Sequence, residues 1–133
     1  MRYLLDTQIA IWSLEDHAGL KPTVRNLLED ANNAIFISPI SLLEISIKLK
    51  LGKLPQFKVS IEKVTRQILK DGFELLPLEL DHTFAYQSIP LYDDHRDPFD
   101  RMLLAIAFRE QIPIVSSDEK FLRYQSSVSI ILN

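Results

Sequence analysis

Four acidic residues stand beside apolar runs that have the character of buried strands. Asp6 follows the run RYLL, and Asp118 follows IPIVSS. Glu44 lies one turn into a helix predicted after AIFIS, and Asp100 lies in the first turn of the helix that precedes IPIVSS. In a parallel sheet all four positions lie near the same edge, where such sheets bind their ligands. The sequence therefore predicts an acidic cleft.

Carboxylates that converge in one cleft repel each other, and some would protonate unless a cation lies between them. Hard divalent cations such as Mg²⁺ prefer carboxylate oxygens and keep several waters. Such sites serve phosphodiester hydrolysis, in which metals activate water and stabilise the charged phosphate. A zinc site is disfavoured because His17, His82 and His95 are scattered, and we expect each of them to be a surface or loop residue.

Helix capping is the structural alternative for the aspartates. Asp97 is a good N-cap, Pro98 a good first helical residue and Asp100 a favourable acid in the first turn. Asp6 and Asp118 are suited to cap TQIAIWSL and DEKFLRY in the same way. For any one aspartate taken alone, capping is the simpler explanation.

Glu44 lies too far from the start of its helix to be a cap. At about 100° per residue it falls within one apolar stripe, which we expect to face inward. The stripe consists of Ile40, Leu43, Ile47 and Leu51. A buried acid is costly unless it is paired, and Lys48 one turn away offers an ion pair as the alternative to a functional role. The opposite apolar face, which is predicted to be core or else a protein contact, consists of Leu42, Ile45 and Leu49.

The elements that must position these acids alternate between strand and helix. Continuous apolar runs, typical of strands buried on both faces, occupy residues 2–5, 34–38, 73–78, 112–117 and 128–132. Helical patterns occupy TQIAIWSL and residues 21–30, 39–51, 60–71, 81–89 and 98–110, and DEKFLRY is predicted to be a short helix or turn. This order predicts an α/β fold with a mostly parallel sheet covered on both faces.

Length and composition limit the class of protein. The 133 residues suit one domain, 1–133, and 47% apolar with 25% charged residues is ordinary for a folded protein. No apolar run approaches the ~20 residues that cross a bilayer, and the acid in MRYLLDTQ comes too early for a signal peptide. Without cysteine there is neither a disulfide framework nor a thiolate zinc site. We expect a cytoplasmic protein.

The net charge of −3 is not that of a protein that coats nucleic acid. Setting aside the four acids, however, leaves 14 acidic and 15 basic side chains, so a metal-loaded protein would not repel phosphate overall. Arg96 and Arg101, which flank Asp97 and Asp100, are the best candidates for phosphate contacts. Lysines that could line the same groove, or simply be solvated, are Lys48, Lys50, Lys53 and Lys120.

Four motifs, in this order, resemble those of PIN-domain proteins of the VapC toxin type: LLDT, SLLEISIKLKLGKL, HRDPFDRMLLAIA and SSDEKF. The resemblance covers essentially the whole chain. It implies a three-layer α/β/α sandwich around a parallel sheet and an acidic Mg²⁺ or Mn²⁺ site that cuts RNA. It also implies a homodimer and a cognate antitoxin that holds the toxin inactive.

Carried over by position, the resemblance assigns the family's four acids to Asp6, Glu44, Asp100 and Asp118. It adds three supporting residues, namely Asp97 and the hydroxyls of Thr7 and Ser116. By hypothesis, Asp6, Asp100 and Asp118 hold the metal directly or through water, and Glu44 holds a second metal or orients the attacking water. Phosphate is then positioned by Arg96, Arg101 and Lys48. The additional acids Asp93 and Asp94 lie near the mouth of the predicted site and weigh against RNA.

Several other functions compete with this hypothesis. A catalytically silent PIN fold that binds RNA or protein is one, and a DNA-directed nuclease is another, because carboxylates do not distinguish the sugar. A phosphate-receiver domain is disfavoured because LLDTQ has a single acid and VSIILN has no lysine. A haloacid-type phosphatase needs a second aspartate where this chain has Gln8.

Overall fold

The computed structural model describes all residues, 1–133, and contains one five-stranded parallel sheet. The strands are β1 (Arg2–Leu5), β2 (Ala34–Ile37), β3 (Glu74–Leu75), β4 (Ile114–Ser116) and β5 (Ile130–Leu132). Their spatial order is β3-β2-β1-β4-β5, and all four neighbouring pairs are parallel. The chain thus runs outward from β1 in both directions. The point where the strand order reverses, between β1 and β4, is where open α/β sheets bind ligands.

Six α-helices connect and cover the strands. They are α1 (Thr7–Glu15), α2 (Pro22–Glu29), α3 (Pro39–Lys50), α4 (Ile61–Lys70), α5 (Leu80–Ala85) and α6 (Pro98–Glu110). Two 3-10 segments, Tyr86–Ser88 and Glu119–Tyr124, follow α5 and β4. The predicted stop of α3 at Gly52 is confirmed, since this glycine adopts the left-handed φ of +69° that ends many helices. No helix is long and apolar enough to cross a membrane.

Two separate apolar clusters pack on the two faces of the sheet. Adjacent side chains of β1 point to opposite faces, so Leu4 joins one cluster and Leu5 the other. The first cluster contains the buried face of α6 and the second contains buried residues of α1, α3 and α4. The predicted α/β/α sandwich with a parallel sheet is therefore confirmed.

The third strand and the fifth helix are shorter than predicted. β3 has only two residues instead of 73–78, because the N–H of Leu76 makes the last bond to β2, with the Ile37 carbonyl, and Pro77 has no N–H to donate. The helix predicted at 81–89 starts at Leu80 and gives way to 3-10 geometry after Ala85. Pro90 then keeps the preceding residue extended and ends the segment.

The apolar stripe assigned to the inner face of α3 is instead its outer face. Leu43, Ile47 and Leu51 are 50%, 38% and 61% exposed. The opposite face packs inward, with Ile45 fully buried and Leu42 and Leu49 against the same cluster. The prediction that Leu42, Ile45 and Leu49 form core is therefore confirmed. Both faces of α3 are apolar, so periodicity could not tell which one the sheet would cover.

Candidate active site

Asp6 lies one residue beyond β1, between the two neighbouring strands. Its backbone N–H donates to the Val115 carbonyl at 2.9 Å, which continues the pairing with β4. Carboxylate Oδ1 accepts from the Ile9 N–H at 2.8 Å, so the predicted capping of α1 is confirmed. Oδ2 accepts from the Ser116 hydroxyl at 2.5 Å. The two bonds fix the carboxylate at the carboxyl-terminal edge of the sheet.

Glu44 is held by the residue that follows Asp6. The Thr7 hydroxyl donates to Glu44 Oε1 at 2.6 Å, and its oxygen also lies 3.0 Å from the Ser41 hydroxyl. Thr7 begins α1, so this contact fastens α3 to the end of the first strand. The alternative of an ion pair with Lys48 is wrong, because no basic side chain lies within 4 Å of the Glu44 carboxylate. Glu44 Oε2 accepts no hydrogen bond from the protein.

Asp100 reaches the site from the first turn of α6. Asp97 caps this helix as predicted, accepting from the N–H groups of Phe99 at 2.8 Å and Asp100 at 3.3 Å. The Asp100 carboxylate makes no cap. Its Oδ2 lies 3.0 Å from Nε2 of His95, and Oδ1 has no protein partner. The start of α6 thus places the Asp100 carboxylate in the cleft, with its side chain 25% exposed.

Asp118 arrives from the end of β4. It caps the 3-10 segment Glu119–Tyr124 as predicted, with Oδ1 accepting from the Lys120 N–H at 2.9 Å. The Asp118 N–H donates to the Ser116 hydroxyl at 3.0 Å, and that same hydroxyl donates to Asp6. Ser116 therefore joins the first and last acids of the site.

The four acids influence one another electrostatically. Burial is the main cause that raises the pKa of Asp6 to about 6, and the nearby charges of Asp100 and Glu44 raise it further. Burial likewise raises the pKa of Glu44 and of Asp100, and the negative charge of Asp118 contributes at Asp100. Together with the bonds that place the carboxylates at the carboxyl-terminal edge of the sheet, these effects agree with the convergence that the strand order predicts.

No lysine or arginine forms an ion pair with these four acids. The ion pairs of the molecule involve none of the four acids except Asp100, whose partner is His95. Asp100, Asp118 and His95 each offer a ligand atom, and these atoms lie within 4.8 Å of one another. Converging carboxylates with free oxygens and no cationic partner are the donor set that suits a hard divalent cation.

The sequence matches a known family over almost its whole length. The profile of the PIN domain matches residues 3–126. The chain belongs to the PIN domain family. A comparison with curated protein sequences finds no match.

Solved structures from toxin–antitoxin systems share the fold of this PIN domain. A chain of VapBC2 from Rickettsia felis, solved with a DNA fragment from its promoter, has a TM-score of 0.75 at 22% identity, covering 99% of this chain and 98% of that chain. A chain of DNA-bound VapBC from Salmonella typhimurium has a TM-score of 0.67 at 15% identity, with coverage of 98% and 97%. FitAcB from Neisseria gonorrhoeae has a TM-score of 0.62 at 18% identity, with coverage of 98% and 96%. The predicted resemblance to VapC-like PIN domains is confirmed.

The basic residues predicted to bind phosphate differ in their placement. Arg96 is exposed, makes no ion pair and precedes Asp97 at the mouth of the cleft. Lys48 is half-buried, and its charge acts on Glu44. The prediction for Arg101 is wrong, because this residue is 3% exposed and donates to the carbonyls of Ile89 and Pro90. Its guanidinium also lies over the Tyr86 ring, so it holds the loop before α6 rather than phosphate.

Two of the three histidines are not surface residues. His82 and His95 are 1% and 4% exposed, and each has both ring nitrogens engaged. His95 bridges the Tyr124 hydroxyl and the Asp100 carboxylate, which sequence reasoning missed. In the sequence, a hint of this contact is that His95 precedes Asp100 by five residues, just before α6 begins. Among the additional acids, Asp94 pairs with Arg123, which neutralises one charge near the mouth.

Proposed function

We propose that this PIN domain is a metal-dependent endoribonuclease that hydrolyses RNA phosphodiester bonds. The observation that supports this best is the convergence of Asp6, Glu44, Asp100 and Asp118 without an ion pair to any lysine or arginine. Structural acids of this kind normally acquire one, because uncompensated buried charge is costly. A site that keeps four carboxylates close together, with His95 as the one basic partner, is suited to a divalent cation.

Asp6, Asp100 and Asp118 would hold Mg²⁺ or Mn²⁺, and Glu44 completes the set. When bound, such a cation supplies positive charge that activates water and stabilises the scissile phosphate. Glu44 is placed for a separate role, because Thr7 fixes one carboxylate oxygen and leaves the other free. Its raised pKa suits it to orient the attacking water and accept its proton.

Phosphate recognition falls to the basic residues that remain accessible. Arg96 lies at the mouth of the cleft beside the start of α6, where the guanidinium can donate two hydrogen bonds to one phosphate. Lys48 lies one helical turn beyond Glu44 and supplies a second positive charge. Because Asp94 is paired with Arg123, the loop before α6 repels RNA less than its sequence implies.

We further propose that the protein is the toxin of a toxin–antitoxin pair, forms a homodimer and acts in the cytoplasm. Structural neighbours come from VapBC complexes, which supports a cognate antitoxin here. The exposed apolar face of α3, made by Leu43, Ile47 and Leu51, supports a protein contact beside Glu44. Light scattering of the purified chain, alone and co-expressed with a candidate antitoxin, tests both assemblies.

The test of the nuclease activity is cleavage of a mixed RNA pool by the purified chain. Reactions contain Mg²⁺, Mn²⁺ or EDTA, and a parallel set replaces the RNA with single-stranded DNA of matched sequence. We expect metal-dependent cleavage of RNA that is lost in Asp6→Asn and Asp100→Asn. Glu62→Gln, an exposed acid of α4 without a partner, is the matched control and should cleave normally.

Each alternative function predicts a different result. A wild type that is inert with every metal but retains RNA on a filter would be a binding module on a nuclease fold. Preferential cleavage of the DNA would make the protein a DNA-directed nuclease. Circular dichroism of both variants ensures that lost activity is not lost folding.

A further inference from the structure

His95 is packed rigidly against the acidic cleft. It lies in the loop before α6, and its ring is in contact with those of Phe121 and Tyr124, with centroids 5.6 and 5.5 Å away. Its backbone N–H donates to the Tyr92 carbonyl at 3.1 Å, and the two residues form an isolated β-bridge. The Tyr92 ring in turn packs edge-on against Tyr124. The ring of His95 thus packs against two aromatic side chains, and its backbone is bonded to Tyr92.

Tyr124, His95 and Asp100 form a chain of hydrogen bonds in which the donor and acceptor of each bond can be assigned. His95 Nε2 lies 3.0 Å from Asp100 Oδ2, and Nδ1 lies 2.8 Å from the Tyr124 hydroxyl. An ionised carboxylate only accepts hydrogen bonds, so Nε2 carries the proton. In a neutral ring Nδ1 must then accept, and the buried Tyr124 hydroxyl donates to it. The order is Tyr124 O–H to His95, and His95 N–H to Asp100.

We propose that His95, oriented by Tyr124, is a positioning residue for Asp100. The bond to Oδ2 fixes the rotation of the carboxylate and leaves Oδ1 without a protein partner and free to bind a cation. Outer partners of this kind orient the ligands of metal sites, and their loss typically lowers metal affinity about 10- to 100-fold. The inference rests on the proposed function, because it assumes that Asp100 holds a metal.

Direct coordination by His95 is the competing possibility, since its Nε2 lies within 4.8 Å of the ligand atoms of Asp100 and Asp118. To coordinate, Nε2 would have to lose its proton and its bond to Asp100. Nδ1 would then carry the proton, and the buried Tyr124 hydroxyl would lose its only acceptor. The hydrogen-bonded arrangement gives both ring nitrogens of His95 and the buried Tyr124 hydroxyl a partner, and it is therefore favoured.

Two substitutions at position 95 test the roles of the two ring nitrogens one at a time. His95→Gln places an amide donor near the position of Nε2, and His95→Asn places one near Nδ1. We measure Mn²⁺ affinity by calorimetry on the full chain, without RNA. His95→Gln should bind close to the wild-type value, whereas His95→Asn should bind about 10- to 100-fold more weakly. Equal affinity of wild type and folded His95→Asn would overturn the inference.

Tyr124→Phe provides a second test that removes a single oxygen. If either substitution at position 95 fails to fold, this variant still releases Nδ1 and lets the ring exchange tautomers. We expect a smaller loss of Mn²⁺ affinity than in His95→Asn, and no loss at all would contradict a role for Tyr124.

Nitrogen NMR distinguishes positioning from coordination. The chain has only three histidines, so the His95 ring signals can be assigned by comparison with His95→Gln. We expect the neutral tautomer with the proton on Nε2, both without and with Mg²⁺. Loss of the Nε2 proton on adding Mg²⁺ would make His95 a ligand and refute positioning. A wild type that binds no Mn²⁺ would instead refute the proposed function itself.

Discussion

Two acidic residues near the amino-terminal edge of the sheet, Glu110 and Asp81, each have a basic partner. Glu110 at the end of α6 lies 2.7 Å from Nε2 of His82 and 3.9 Å from the guanidinium of Arg2. Asp81 of α5 pairs with Arg109 at 2.9 Å. At the carboxyl-terminal edge, four acids converge and only one of them has a partner, His95. Both edges contain a buried histidine bonded to a carboxylate. Acids without a basic partner at the amino-terminal edge, such as Glu29, Asp30 and Asp71, are exposed, whereas those at the carboxyl-terminal edge are at least partly shielded from solvent.

This difference indicates that the acids of the amino-terminal edge stabilise the fold, whereas those of the carboxyl-terminal edge serve function. The pairs at the amino-terminal edge satisfy the hydrogen-bonding groups that close α5 and α6 onto the sheet. The Glu79 N–H, for example, donates to His82 Nδ1 at 2.9 Å and so caps α5. At the other edge, burial and neighbouring negative charges raise the pKa of Asp6, Glu44 and Asp100, which costs folding free energy at neutral pH. We infer that the carboxyl-terminal edge is maintained for a ligand.

The largest expected effect comes from Asp100→Asn. Cleavage of RNA should fall by about 1,000-fold or more, because removing a group that acts directly on the reacting centre costs that much. The midpoint of urea unfolding should not fall, since the variant removes repulsion from Asp6 and Glu44. Full activity in Asp100→Asn would mean that the two edges do not differ in function.

The second effect is a dependence of stability on pH in the metal-free protein. The pKa of Asp6 rises from 3.8 to about 6 on folding, so the folded chain keeps a proton there that the unfolded chain has released. The free energy of unfolding should therefore fall by about 3 kcal/mol as the pH rises through this range. Glu44 and Asp100 act in the same direction, because burial raises the pKa of each.

Urea unfolding in EDTA at pH 5 and pH 7.5 should show roughly half of this change, about 1.4 kcal/mol. Asp6→Asn keeps an acceptor for Ile9 and should show a flatter profile than the wild type. A profile of equal steepness in Asp6→Asn would assign the pH dependence to other groups.

A third effect is expected at the amino-terminal edge. Glu110→Ala leaves the buried His82 N–H and the Arg2 guanidinium without an acceptor, which should cost about 2 kcal/mol of stability. Mn²⁺ affinity and cleavage of RNA by the folded fraction should stay unchanged. A specific loss of Mn²⁺ affinity would show that the two edges are coupled through α6.

The smallest effect concerns Arg96. Arg96→Gln should weaken RNA binding several-fold and lower the slope of affinity against salt concentration by about one, as expected for one phosphate contact. Its stability should match the wild type because the side chain is exposed. Arg109→Gln, at the opposite edge, is the matched control and should leave both the affinity and the salt slope unchanged.

The sheet, the helices and the convergence of the acids could be predicted from the sequence because each depends on local patterns. Apolar runs alternate with capped helices, and parallel strands bring Asp6 and Asp118 to one edge whatever the details of packing. Glu44 and Asp100 follow from the same rule, since the first turns of their helices begin at that edge. The catalytic role of these residues stays a prediction.

Other features depend on packing that the sequence does not encode locally. Arg101 lies beside Asp100 in the sequence, which suggested a contact with phosphate. The carbonyls of Ile89 and Pro90 accept its hydrogen bonds only once the loop folds back on α6. The outer face of α3 is as apolar as its inner face, so burial was assigned to the wrong side. His95 was missed because its acceptor and its donor come from different elements, α6 and the 3-10 segment after β4.

The bond between Ser116 and Asp6 joins residues that are 110 positions apart. A ribosome that adds about 5–20 residues per second makes Asp118 roughly 6–20 s after Asp6. Until Ser116 has been made, a nascent chain has at most Asp6, Glu44 and Asp100, but neither Asp118 nor the hydroxyl that orients Asp6. Such a chain cannot assemble the cleft, so during synthesis the fold itself would delay the proposed cleavage of RNA until the fourth strand is in place.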